Sequence, residues 1–160
     1  MTPAQVLDLW RRLAPLPGGR WLFGRLIAFG IPYSASTGAT VRLLEPGHCI
    51  VVLTDRRKVR NHLNSIHAVA LTNVGELASG LAMTTALPVG TRAIVTKLAT
   101  EYVKKARGTI VVESRVADPP RPAVPMEVQV EATMTDAGGE LVARVQATWL
   151  VAPAQERKAP

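Results

Sequence analysis

The chain has 160 residues, 48% of them apolar, and a formal net charge of +7. That length and composition fit one folded domain with a sizeable core and exclude a disordered chain. Its single cysteine, Cys49, excludes an intramolecular disulfide and any multi-cysteine zinc site, and the excess of cations points to an anionic partner: nucleic acid, anionic lipid or a phosphorylated small molecule.

Met1-Thr-Pro-Ala-Gln lacks the basic region that opens a secretory signal, so a reducing, cytoplasmic setting is expected. Residues 3–14 read as a short helix with Pro3 in its first turn. A second helix is expected over about 18–29 and is stopped by Gly30-Ile-Pro32. Five of the seven aromatic residues, Trp10, Trp21, Phe23, Phe29 and Tyr33, fall in this N-terminal third. Trp beside Arg is a composition found in membrane-interface segments. Packing of both helices over the domain body is the favoured reading, and membrane contact through them the lesser one.

Two strands are expected next, over 37–44 and 48–54, joined by the turn Glu45-Pro-Gly47. The polar stretch from Asn61 to Ser65 leads into residues 68–83, whose apolar side chains recur on every face. Such a run is a helix surrounded by protein. It is short for a membrane span and holds Asn73, Glu76 and two glycines, which argues against that role. Glu76 is the only full formal charge between Arg60 and Arg92. Burying an unpaired carboxylate is costly, so Glu76 is expected to be hydrogen-bonded, protonated or functional.

After Pro88-Val-Gly90 the period changes to two, and four strands follow over 91–103, 109–117, 126–135 and 141–151. In the third, Met126, Val128, Val130, Ala132 and Met134 point inward. In the fourth, Leu141, Ala143, Val145, Ala147 and Trp149 do so, across a hairpin at Asp136-Ala-Gly-Gly139. An antiparallel sheet has one face to cover and a fully apolar helix needs covering all round. Wrapping one around the other satisfies both, an α+β hotdog arrangement. The expected division is 1–33 as a helical segment packed on the domain, 34–152 as the sheet and helix, and 153–160 as a polar tail.

The stretch Arg60-Asn61-His62-Leu63-Asn64-Ser65-Ile66-His67-Ala68-Val69, followed by Glu76, resembles the signature of hotdog-fold acyl-CoA thioesterases of the phenylacetate-degradation type. The likeness is greater to an uncharacterised bacterial branch with a later Lys-Lys-Ala-Arg-Gly, here Lys104-Lys105-Ala-Arg107-Gly108, and it covers roughly residues 30 to 150. The resemblance implies that Glu76 is the general base or nucleophile, that the Ala68 N–H binds the oxyanion, and that Asn61 orients water or thioester. It places His67 and Val69 beside the substrate and assigns Lys104, Lys105 and Arg107 to coenzyme A phosphates. Coenzyme A enters as part of the substrate, with no separate cofactor. Val69 stands where the family has a second glycine, so a non-catalytic protein that binds acyl-CoA or fatty acid is the alternative. A hotdog dehydratase fits less well, because residues 68–83 contain no histidine.

Ala68 and Glu76 are eight residues apart, about 12 Å along one helix at 1.5 Å per residue. One thioester cannot engage both within a single chain, so the expected site pairs Glu76 of one subunit with the helix start of another. A homodimer at minimum is expected, with a tetramer of such dimers left open. Asn64 is expected to cap the helix. His62 and His67 lack a third ligand at metal-site spacing, and the strands lack aromatics for base stacking, so neither metal nor nucleic acid is expected.

Overall fold

A computed structural model describes residues 2–154. Helices α1 (Pro3–Leu13) and α2 (Gly19–Gly30) precede strands β1 (Thr40–Glu45) and β2 (His48–Thr54). The long helix α3 (Ala68–Ala86) follows, and then β3 (Thr91–Tyr102), β4 (Thr109–Arg115), β5 (Met126–Thr135) and β6 (Leu141–Pro153). All six strands form one antiparallel sheet in the order β1-β2-β4-β5-β6-β3, and α3 packs against every one of them. The sheet therefore wraps the helix, as the two burial patterns require.

Glycine decides how closely helix and sheet approach. A Cβ on Gly75 would lie 2.4 Å from Val145 Cγ2 and 2.8 Å from Met134 Cε. Gly75→Ala therefore overpacks the centre of the core. That costs about 3 kcal/mol, against a gain of about 1 kcal/mol in helix propensity. A melting temperature roughly 5 °C below the parent's is expected. A variant as stable as the parent would mean that the helix sits higher on the sheet.

At its far end α3 is tied to the β1–β2 turn: the Thr85 hydroxyl accepts from the Gly47 N–H at 3.2 Å. Gly47 holds φ +72°, a turn conformation that suits glycine. The helix ends at Ala86, past the apolar run 68–83 and before Pro88, as the Pro88-Val-Gly90 stop requires. β1 begins at Thr40 rather than 37, because Ser34–Thr37 form a 3₁₀ turn closed by Gly38 at φ +66°. Met126 is exposed although it was expected inward, since β5 outruns the helix that covers its middle.

Both N-terminal helices pack on the domain. Thr2 and Gln5 form a capping box at the start of α1. Trp10 meets Phe23 edge to face at 5.0 Å, with Val6, Leu7 and Ile27 buried around them. The other aromatics of this region do the opposite: Trp21, Phe29 and Tyr33 point outward, at 68%, 93% and 72% exposure. Cys49 is buried in β2, which pushes its thiol pKa up to about 12 and leaves it unreactive. Residues 155–160 of the expected polar tail lie outside the described residues.

Candidate active site

Glu76 lies at the middle of α3, on the side turned toward α2 and the Ser34–Thr37 turn. Its Oε2 accepts a hydrogen bond from the Ser34 hydroxyl at 3.3 Å. Burial raises the carboxyl above its ordinary value of 4.5, and the Ser34 bond offsets only part of that rise. The carboxylate faces a cavity of about 320 Å³ whose apolar walls include Val6, Ile27, Ile31, Leu77 and Trp149. Gly80, one turn further along the helix, keeps this space open: a Cβ there would lie 3.2 Å from the Trp149 ring and 3.7 Å from Glu76 Oε1. An acid with its proton held more tightly than usual therefore lines an oily space.

The start of α3 presents different chemistry. His67 is the N-cap, with φ −66° and ψ 139°, and its Nδ1 accepts from the Val69 N–H at 3.1 Å. That bond requires an unprotonated Nδ1, so the ring proton of the neutral imidazole sits on Nε2. The His67 carbonyl accepts from Ala70 and Leu71. Among the described residues no acceptor meets the Ala68 N–H, so this donor at the positive end of the helix dipole is free. The Tyr102 hydroxyl donates to the Ala68 carbonyl at 3.1 Å and lies 2.9 Å from Thr72 Oγ1, which fastens the first turn to β3. Val69 is more than half exposed beside it.

Asn61, expected to orient water or thioester, has its Oδ1 engaged within its own loop. It accepts from the Leu63 N–H at 2.9 Å and from the Ser65 N–H and hydroxyl at 3.3 and 3.2 Å. Its amide nitrogen is the group left for a ligand. Asn64 is not the cap of α3, a place taken by His67. It adopts φ +53°, a left-handed turn that asparagine tolerates, and its carbonyl accepts from Arg107 Nε at 3.2 Å. His62 is exposed on the same loop.

Of the three cations expected at phosphate, Lys104 is held between carboxylates of the β5–β6 hairpin, 2.6 Å from Asp136 Oδ2 and bonded also to Glu140. It reaches a phosphate only by giving these up. Lys105 and Arg107 are exposed, and Arg107 borders the loop that leads into α3. Two residues escaped the sequence reading. Ser34 carries no local signal, since only the 3₁₀ turn brings it to a carboxylate 42 residues away. Asn73 is buried with its Oδ1 unpaired and borders a second cavity, of about 400 Å³, with Tyr33, Lys58, His67 and Val69. Its signal was present: an amide in an apolar helix, one turn ahead of the acid. The two cavities share no lining residue, so within one chain Glu76 and the neighbours of Ala68, His67 and Val69, border separate spaces.

Residues 19–151 match the family described as a domain of unknown function, DUF4442. The chain belongs to the DUF4442 family. Among proteins of curated function, none matches it. A structural-genomics crystal structure is 27% identical over 95% of this DUF4442 chain and 99% of its own, with a TM-score of 0.80. A Pseudomonas aeruginosa protein described as a probable thioesterase is also 27% identical, over 87% of this chain and 97% of its own, with a TM-score of 0.73. A Streptococcus mutans protein bound to acetyl-CoA shares the fold at 22% identity and a TM-score of 0.62, covering 74% and 91% of the two chains. This DUF4442 protein thus has the hotdog fold of the thioesterase superfamily.

Proposed function

We propose that this DUF4442 protein is an acyl-CoA thioesterase acting at a site shared between two subunits. The observation that carries the proposal is Glu76: a carboxylate with a raised pKa, held by one hydroxyl, facing an apolar space that Gly80 keeps open. The 27% identical probable thioesterase from Pseudomonas aeruginosa and the acetyl-CoA carried by the Streptococcus mutans protein support the substrate class.

In the proposed reaction the acyl chain enters the apolar cavity and places the thioester carbonyl beside Glu76. The carboxylate takes a proton from water as the water oxygen adds to the carbonyl carbon. The oxygen that becomes negative accepts from the Ala68 N–H of the second subunit. Collapse breaks the carbon–sulfur bond and expels the coenzyme A thiolate, which recovers a proton, leaving a carboxylic acid. Direct attack by Glu76 through an anhydride is the variant pathway. Lys105 and Arg107 are the cations available for the coenzyme A phosphates.

Dimerisation is part of the proposal and has its own support. β3 is a twelve-residue edge strand bearing exposed Ile94, Leu98 and Tyr102, beside exposed Val69 and Val103. A long apolar edge is a surface that proteins cover, and pairing with a second β3 would cover it.

The deciding experiment is thiol release by the purified protein across aromatic, short and long acyl-CoA substrates over a range of pH. Glu76 must be ionised to act as a base, and burial raises its pKa. The rate is therefore expected to fall tenfold per unit of pH on the acid side, with a midpoint above 4.5. Release of no thiol from any substrate would remove the hydrolase. Val69, exposed at the helix tip, favours the second reading of a binder without turnover. Tight acyl-CoA binding by calorimetry, with no thiol released over hours, would select it.

A further inference from the structure

Helix α2 has two faces with different uses. Phe23 and Ile27 point into the core, and Ile27 with Gly30 walls the Glu76 cavity. Trp21, Leu22, Leu26 and Phe29 all point outward and span about 140° of the helix circumference, one broad face opposite Phe23 and Ile27. Leu16 before the helix and Tyr33 after it are exposed as well. Four large apolar side chains on one exposed helix face form a patch of the kind that marks an interaction site.

Charge indicates what covers it. Between Asp8 and Glu45 the sequence contains five arginines, Arg11, Arg12, Arg20, Arg25 and Arg42, and no acidic residue. All five are exposed. The Arg25 guanidinium lies 5.9 Å from the centre of the Trp21 ring, so cation and aromatic ring leave the helix together. Arg20 and Arg25 also border a cavity of about 330 Å³ under the helix, where Arg56 joins them and no carboxylate is present. Trp and Phe between arginines, on a helix that is not long and apolar enough to cross a bilayer, is the pattern of a segment lying in the membrane interface.

We infer that the outer face of α2 docks this protein on an anionic lipid surface. Trp21 and Phe29 enter the boundary between headgroups and acyl chains, and Arg20 and Arg25 meet lipid phosphates. The inner face of the same helix walls the cavity beside Glu76, so docking places that cavity one helix diameter from the bilayer. The inference does not depend on catalysis.

The test is co-sedimentation of the full chain with vesicles of phosphatidylcholine alone and with 30% phosphatidylglycerol, at low and high salt. Binding is expected only to the anionic vesicles and to weaken with salt. Each arginine near a charged surface is worth about fivefold in affinity, so Arg20→Gln with Arg25→Gln should weaken binding about twenty-five-fold. Trp21→Ser with Phe29→Ser should weaken it at least about tenfold. These side chains are exposed, so both variants should melt with the parent. Absence of sedimentation with either vesicle, or equal binding to both, overturns the inference. A Trp21→Ser and Phe29→Ser variant that binds vesicles normally but has a smaller assembly mass also overturns it, because the face is then covered by a second copy.

Discussion

Glu76→Gln is expected to lower thiol release from acyl-CoA by at least about a hundredfold while leaving the protein as stable as the parent or more so. The amide keeps the shape of the side chain and can still accept from Ser34, but it cannot take a proton from water. Stability changes in the opposite sense to activity, because burial raises the Glu76 pKa above 4.5 in the folded chain. Between 4.5 and the raised value the folded state binds more protons than the unfolded one, so the parent loses stability as pH rises through that window. Glutamine carries no such penalty. The melting difference should therefore be absent well below pH 4.5 and favour the variant at neutral pH. Equal rates of thiol release would end the role of Glu76 as base or nucleophile. A variant that melts lower at neutral pH would show instead that the carboxylate is structural.

Ala68→Pro isolates the other half of the site. Proline is favoured at the first position of a helix, where its missing N–H has no partner inside the helix. The residue before it must be extended, and His67 already is, at φ −66° and ψ 139°. The cap also survives, because His67 Nδ1 bonds to the N–H of Val69 rather than that of Ala68. The substitution thus removes one free donor and little else. If that N–H binds the oxyanion, kcat should fall by on the order of a hundredfold to a thousandfold with the melting temperature unchanged. An unaltered kcat would assign the oxyanion to another donor. Mixing Glu76→Gln with Ala68→Pro subunits adds a test of the shared site. Each variant leaves one complete half, so a mixed dimer regains activity in one of its two sites.

The order of the strands shows where local pattern stops being informative. Alternation along β5 and β6, the Asp136 to Gly139 turn and the all-round apolar α3 each announced an element, because side-chain direction repeats every two or 3.6 residues and burial follows it. Adjacent strands β1–β2 and β5–β6 were also readable from their turns. The placement of β3 at the edge beside β6, 50 residues later, was not, since no turn joins them. An element end is misplaced for the same reason: β1 lost its first residues to a 3₁₀ turn that no local alternation announces.

The site divides in the same way. The identity of Glu76 as the one acid on a core helix, and its eight-residue distance from Ala68, belong to the chain itself and hold whatever the packing. What surrounds them is tertiary. Ser34 reaches Glu76 across 42 residues, Lys104 is neutralised by the β5–β6 hairpin, and His67 rather than Asn64 caps the helix. The outward turn of Trp21 and Phe29 was equally hidden in a segment where Trp10 and Phe23, of the same residue types, are buried. Composition states which groups are present. Only the folded chain decides which of them meet, because a hydrogen bond or a buried face depends on neighbours that local periodicity does not name.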